Sequence, residues 1–256
     1  MIQLTAAIIT YNEERNIARC LDSLQKLADE IVVVDSYSTD KTVEICNSYG
    51  AKVFQHNFEG HIEQKNYALE KASCSFVLSL DADEALSDEL RASIASVKSG
   101  WNYDGYEMCR LTNYCGAWIR HCGWYPDRKI RLFDKRKGKW AGVNPHDRFA
   151  LQESTAAVGL LRGDILHYSY YSISDHIRQV DYFTEISARG LFQHGQTASL
   201  LRLIVSPVYR FVRDYIFKFG FLDGYYGFVV CRISSHAVFL KYAKLRELGK
   251  QPRREL

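Results

Sequence analysis

Phe76-Val77-Leu78-Ser79-Leu80-Asp81-Ala82-Asp83-Glu84 is the stretch on which the fold of this chain turns. A short apolar run of strand-forming residues ends in three carboxylates within four positions. Such a run reads as a strand buried on both faces, as in a parallel sheet. Carboxylates cannot follow it into that core without a heavy desolvation cost, so they belong at the sheet's rim. In open α/β sheets ligands bind at the rim formed by the carboxyl ends of the strands. Asp81 and Asp83 are placed to turn oxygens toward one point, which suits a hard divalent cation carrying a diphosphate. The competing role is a solvated acidic turn, with Ser87-Asp88-Glu89 capping the next helix.

Outward from this stretch, strand and helix patterns alternate. Residues 4–9 form an apolar strand ending at Thr10-Tyr11-Asn12, with Asn12 expected as N-cap before Glu13 and Glu14. Ile17, Cys20, Leu21, Leu24, Leu27 and Ala28 follow helical spacing. Residues 31–34 are a second strand closed by Asp35, 52–55 a weaker third, 60–72 a helix, and 88–97 another. Four alternations in about a hundred residues are the signature of βαβ units. No GxGxxG or GxxxxGK[ST] motif is present, so carboxylate-held metal is the expected substitute for a glycine-rich phosphate loop.

The pattern then changes. Residues 106–111 and 129–133 read as strands around an aromatic loop with Trp118, Trp124 and Tyr125. Residues 144–148 read as a polar turn, 156–158 and 165–168 as short strands, and Ser174 as the cap of a helix. Further on, Val208, Phe211, Val212, Tyr215, Ile216 and Phe219 mark an apolar stripe opposed by Arg210, Arg213, Asp214 and Lys218. A basic amphipathic helix of this kind suits a membrane interface or a subunit contact.

Net charge is +3 over 256 residues, unevenly spread: from Arg202 onward eleven Lys/Arg face four Asp/Glu. The earlier part is therefore acidic and needs a cation before it can hold phosphates. The basic end matches anionic lipid or nucleic acid on charge alone; with the amphipathic stripe, a membrane surface is expected and nucleic acid is not. Seven cysteines without a CxxC pair argue for a reducing compartment. Cys109, Cys115, His121 and Cys122 form one cluster to test for zinc, at a spacing that matches no usual ligand pattern. No signal peptide and no spanning run are expected.

With these residues in hand, the chain resembles the family 2 inverting glycosyltransferases of GT-A fold. The resemblance rests on Thr10-Tyr11-Asn12-Glu13-Glu14, Val33-Val34-Asp35-Ser36-Tyr37-Ser38-Thr39-Asp40 and Asp81-Ala82-Asp83, each following a strand. Gln64-Lys65-Asn66, residues 144–148 and Gly220-Phe221-Leu222-Asp223-Gly224 make it most similar to lipopolysaccharide inner-core β-1,4-glucosyltransferases. The resemblance implies a Rossmann-like, mostly parallel central sheet flanked by helices, with a C-terminal amphipathic helical region. It implies a nucleotide site with Thr10, Tyr11, Glu13, Asp35, Lys65 and Asp81. Mg²⁺ or Mn²⁺ would sit on Asp83 and His167, and Asp147 would serve as catalytic base. His146 stands where the family usually has Glu, and with Trp124, Tyr125 and Arg148 it would meet the acceptor. The expected partners are a UDP-sugar, UDP-glucose first, and a lipid-linked oligosaccharide at the cytoplasmic face of the membrane. A Gln-x-x-Arg-Trp signature of polymerising relatives is absent, favouring transfer of one hexose.

The expected division is a transferase domain at 1–197, with a nucleotide-sugar half at 1–100 and an acceptor half at 101–197. A basic region at 198–256 would serve membrane association or homo-oligomerisation. Three other functions remain open at this point. One is a same-fold transferase acting on a polyprenyl phosphate or a peptide. The second is a sugar nucleotidyltransferase, which needs a glycine- and lysine-rich loop where Tyr11-Asn12-Glu13-Glu14 stands. The third is a non-catalytic membrane-binding module.

Overall fold

The structure, a computed structural model, describes residues 1–144, 146–153 and 156–250, and of His146 only the backbone. The first strands are β1 (Leu4–Thr10), β2 (Glu30–Asp35), β3 (Lys52–Gln55) and β4 (Phe76–Asp81), interleaved with α1 (Ile17–Leu24), α2 (Thr42–Ser48) and α3 (His61–Lys71). They pair in parallel in the order β3-β2-β1-β4. Both faces are covered, which explains why these strands read as continuous apolar runs. On one face Ile8, Val33 and Leu80 pack with Ile17, Leu21 and Leu24 of α1, and with Leu90 and Ile94 of α4 (Asp88–Ser99). On the other, Ala7, Val34 and Val77 meet Ala68 and Leu69 of α3 together with Trp140 and Phe149. Each of the fully buried Val, Leu and Ile side chains among them stabilises by about 1.5–3 kcal/mol relative to exposure.

The sheet continues through β8 (Asp127–Asp134), β6 (Gly105–Tyr114), β11 (Val158–Tyr170) and β5 (Glu84–Leu86), with β7 (Ala117–Ile119) on β6. Here β8 runs antiparallel to both β4 and β6, and β5 antiparallel to β11. The helix-flanked sheet expected of a GT-A domain is therefore present, parallel through its first four strands, and C-terminal helices follow it.

Several elements differ from their sequence reading. Asn12 does not cap α1. It takes a left-handed φ of 52°, and its side-chain oxygen accepts from the Thr39 N–H at 2.8 Å, tying the β1 and β2 loops together. Of the expected polar turn at 144–148, residues 146–148 belong instead to β10 (His146–Leu151), which pairs antiparallel with β9 (Gly138–Val143); Pro145 lies outside the described residues. The strand expected at 165–168 lies within β11, which takes in only Val158 of the one expected at 156–158. The polar interruption between them is bonded in: Asp164 and Ser87 exchange backbone and side-chain bonds at 3.0 Å, and Ser93 donates to the Arg162 carbonyl. Gly163, at φ 89°, lets the strand pass there, where a Cβ would lie 2.3 Å from the Leu90 nitrogen.

The chain divides into two compact units. The first is residues 1–111 and 127–168; the second is residues 112–126 and from 169 onward. The second holds α5 (Ile173–Gln193), α6 (Leu200–Val212) and α7 (Gly224–Leu248). The cap of α5 is Ser172, not Ser174; its side chain accepts from the Asp175 N–H. Within this second unit, Ala188 of α5 and Leu245 of α7 share a core. The second unit also buries Tyr114, Ile119, Cys122, Val230 and Cys231 together. All seven cysteines are free. Among the described residues no group of three or more His, Cys, Asp or Glu is placed to hold a metal, so Cys109, Cys115, His121 and Cys122, whose spacing matched no zinc pattern, form no such set. His121 instead bonds Asp223 through Nδ1 at 2.8 Å. Among the described residues no helix is long and apolar enough to cross a membrane.

Candidate active site

Register alone brings the acid residues to one rim. Asp35 pairs across Thr10 and Asp81 across Ile9, so both rise where β1, β2 and β4 end. With β1 between them, their backbones lie roughly 10 Å apart. The one-residue offset sends the side chains to opposite faces of the sheet, Asp35 toward α2 and Asp81 toward α3.

Asp35 is fully buried and accepts from both the N–H and the hydroxyl of Ser38. The Ser38 hydroxyl in turn receives the Asn12 N–H at 2.8 Å. Thr42 accepts from the Glu13 N–H at 2.8 Å, so the loop carrying Tyr11 and Glu13 is fastened to the loop after β2. Tyr11 itself is 58% exposed, an aromatic face presented at the rim. Thr10 Oγ1 is buried with no hydrogen-bond partner among the described residues. Burial pushes the Glu13 carboxyl up to about 7; the Asn16 amide opposes this, and the nearby Asp83 and Asp40 add to it.

On the α3 side the charges are closely coupled. Lys65 is 2% exposed; its Nζ lies 3.1 Å from Asp81 Oδ1 and 2.8 Å from Asp147 Oδ2. The same nitrogen lies 4.6 Å from the Trp140 ring centre. Arg131, also buried, reaches Asp81 at 3.1 Å and Glu84 at 3.3 Å. Glu84 further accepts from the Asp81 N–H at 2.9 Å and faces Arg110 at 3.6 Å. Burial alone would raise the Asp81 carboxyl, but Lys65 and Arg131 outweigh it and hold Asp81 far below the usual carboxylate range.

Asp83 lies beyond the strand end and faces a different partner. Because β5 pairs with β11 so that His167 stands opposite Glu84, the imidazole comes alongside the acid turn. His167 Nε2 is 3.1 Å from Asp83 Oδ2, and the Tyr168 N–H donates to the Asp83 carbonyl at 2.9 Å. Burial would lower the His167 pKa, but the Asp83 charge raises it.

The structure thus brings together Thr10, Tyr11, Glu13 and Asp35 on tied loops, Lys65, Asp81 and Asp147 in one ion-pair chain, and Asp83 with His167. Arg148 is exposed on β10, and the His146 side chain lies outside the described residues. Trp124 belongs to the second unit, where it packs with Tyr114, Tyr170 and His176, and Tyr125 has Arg120 over its ring. Sequence reasoning missed Arg131, Arg110 and Trp140 and gave Glu84 no role. The alternation Lys129-Ile130-Arg131-Leu132 was a signal, since a cation on the inward face of a buried strand needs an anion.

The family model described as Glycosyl transferase family 2 matches residues 5–109. An uncharacterized glycosyltransferase of Rickettsia typhi is 33% identical over 262 residues, covering 99% of this chain and 90% of that one. The lipopolysaccharide core biosynthesis glycosyltransferase LpsC of Rhizobium meliloti is 27% identical, covering 95% and 92%. Among solved structures, S. aureus TarS 1–349 is similar with a TM-score of 0.48 at 17% identity, covering 99% of this chain and 93% of that one. On the family model and the full-length Rickettsia likeness, the chain belongs to glycosyl transferase family 2 and is a glycosyltransferase.

Proposed function

We propose that the chain is an inverting transferase that moves one hexose, glucose from UDP-glucose, onto a sugar of a lipopolysaccharide core. The observation that carries this reading is the Asp83–His167 pair at the carboxyl end of the sheet, beside the Tyr11 and Asp35 loops. The lipopolysaccharide acceptor draws on the likeness to LpsC. A lipid-anchored acceptor of this kind implies work at the cytoplasmic face of the membrane.

In this reading Tyr11 stacks on the uracil and Glu13 lines the nucleoside pocket. Asp35, closed off by Ser38 in the structure, accepts from the uracil imide N–H once the Ser38 loop gives way. The donor set fits a divalent cation: one carboxylate oxygen and one imidazole nitrogen converge, and both side chains are partly open to solvent. Mg²⁺ or Mn²⁺ takes one or two protein ligands and fills its shell with phosphate oxygens and water, so Asp83 and His167 suffice. Such an ion, when bound, neutralises charge on the departing diphosphate. Lys65 orients Asp147 through Oδ2, leaving Oδ1 as the oxygen that takes the proton of the attacking acceptor hydroxyl. Asp81, held by Lys65 and Arg131, fixes the strand end from which Asp83 projects.

The test is a thermal-shift panel of UDP-sugars with Mn²⁺, on wild type and Asp83→Ala. UDP-glucose should stabilise the wild type, and EDTA or Asp83→Ala should abolish the effect. A wild type indifferent to every UDP-sugar would defeat the proposal.

A further inference from the structure

We infer that the outward face of α6, together with residues 213–228, docks flat on an anionic lipid bilayer. This deepens the membrane-facing part of the proposed function and owes nothing to the donor chemistry. In α6, Leu201, Ile204, Val205, Val208 and Val212 recur at three- and four-residue spacing, and all are exposed, Leu201 at 72% and Ile204 at 66%. They are not the side that α6 gives to α7. That side carries Phe211, which packs on the buried core, and Pro207, whose carbonyl accepts from Ser235 of α7 at 2.8 Å. Phe217, Phe219 and Leu222 extend the same apolar character beyond the helix, Phe217 being 72% exposed. An exposed apolar surface this continuous marks a contact site.

Charge selects the occupant. Between residues 200 and 230 the carboxylates are Asp214 and Asp223, and both side chains are buried. Asp214 is held by Arg210 and Arg213. Asp223 accepts from the His121 ring and from the backbone N–H groups of Arg120 and His121. Arg202 and Lys218 remain exposed, so the fringe of the apolar face is cationic. A second copy laid on this face would bring cations against cations, whereas anionic headgroups neutralise them. Exposed Tyr209 and Tyr225 add rings with a polar tip, which suit the headgroup level of a bilayer.

The full chain should co-sediment with phosphatidylcholine vesicles that contain phosphatidylglycerol, and far less with phosphatidylcholine alone. High salt should weaken binding. The double variant Ile204→Glu, Phe217→Glu removes two outward apolar side chains without opening a core, and should bind at least about tenfold more weakly. UDP-glucose hydrolysis by the double variant should match the wild type, so a failed vesicle assay is separable from a failed donor assignment. Equal binding to neutral vesicles, no binding to either, or self-association that the double variant abolishes while lipid binding persists would each overturn the inference.

Discussion

Lys65 serves two carboxylates from a site almost closed to solvent, and one of them, Asp147, lies 82 positions away in sequence. In the mechanism proposed above, loss of the Asp147 base is separable from loss of the donor site. Asp147→Asn is expected to lower kcat by roughly 10²–10⁴-fold, the usual contribution of a positioned base. UDP-glucose binding should survive, and initial-rate kinetics beside calorimetric titration will show it; unchanged kcat would assign the base elsewhere. Glu13 gives a pH dependence. Its carboxyl is pushed up to about 7 from 4.5 by burial. A carboxyl raised in the fold contributes stability that is full below its unfolded value and lost as pH rises through about 7. Glu13→Gln should thus gain on the wild type by up to roughly 3 kcal/mol between pH 5 and pH 8.5. Urea midpoints in EDTA would measure it, and parallel pH profiles for the two proteins would sink it.

Elements here meet through a few tight backbone approaches. Ser87 caps α4 by accepting from the Leu90 N–H and also receives the Asp164 N–H, both through one hydroxyl. Gly163 sits against that same turn with no room for a Cβ. Gly163→Ala should cost about 1–3 kcal/mol for the backbone strain alone, and more for the collision with Leu90. Gly190, in the middle of the last turns of α5, has nothing within 4 Å of where a Cβ would stand. Gly190→Ala should instead stabilise by about 0.5–1 kcal/mol. Thermal midpoints moving in opposite directions would support this reading of β11 against α4; a harmless Gly163→Ala would refute it. The first hundred residues are the most legible because their apolar runs and acid strand ends are local signals; the Ser87 cap was legible too, whereas Asn12 is drawn into the contact with Thr39 instead of capping α1. The β9–β10 hairpin was not legible, because Gly138 to Leu151 alternates weakly and its inward residues, Trp140 and Phe149, are buried by Phe133 and α3.

For the molecule as a whole, the donor binding proposed above is linked to folding. UDP with Mn²⁺ at about a hundred times its Kd should stabilise the fold by about 2.7 kcal/mol. That corresponds to roughly 5–10 °C in the midpoint of a chain this size. Scanning calorimetry with and without EDTA gives the figure directly, and a shift that Asp83→Ala retains would remove Asp83 from the site. The sequence by itself determined the strand–helix alternation, the acid strand ends, the family resemblance and the basic apolar tail. Each is written in spacing and composition, which decide what must be buried and what must stay at a rim. Only the tertiary structure decided who faces whom. It buried Lys65 between Asp81 and Asp147, set Arg131 against Glu84 and brought His167 to Asp83. It also split the apolar stripe read at 208–219, packing Phe211 and Tyr215 on the core and leaving Val208, Val212, Ile216 and Phe219 outward. Periodicity records that a side chain is inside; which opposite charge awaits it there depends on contacts tens of residues away, which no local pattern encodes.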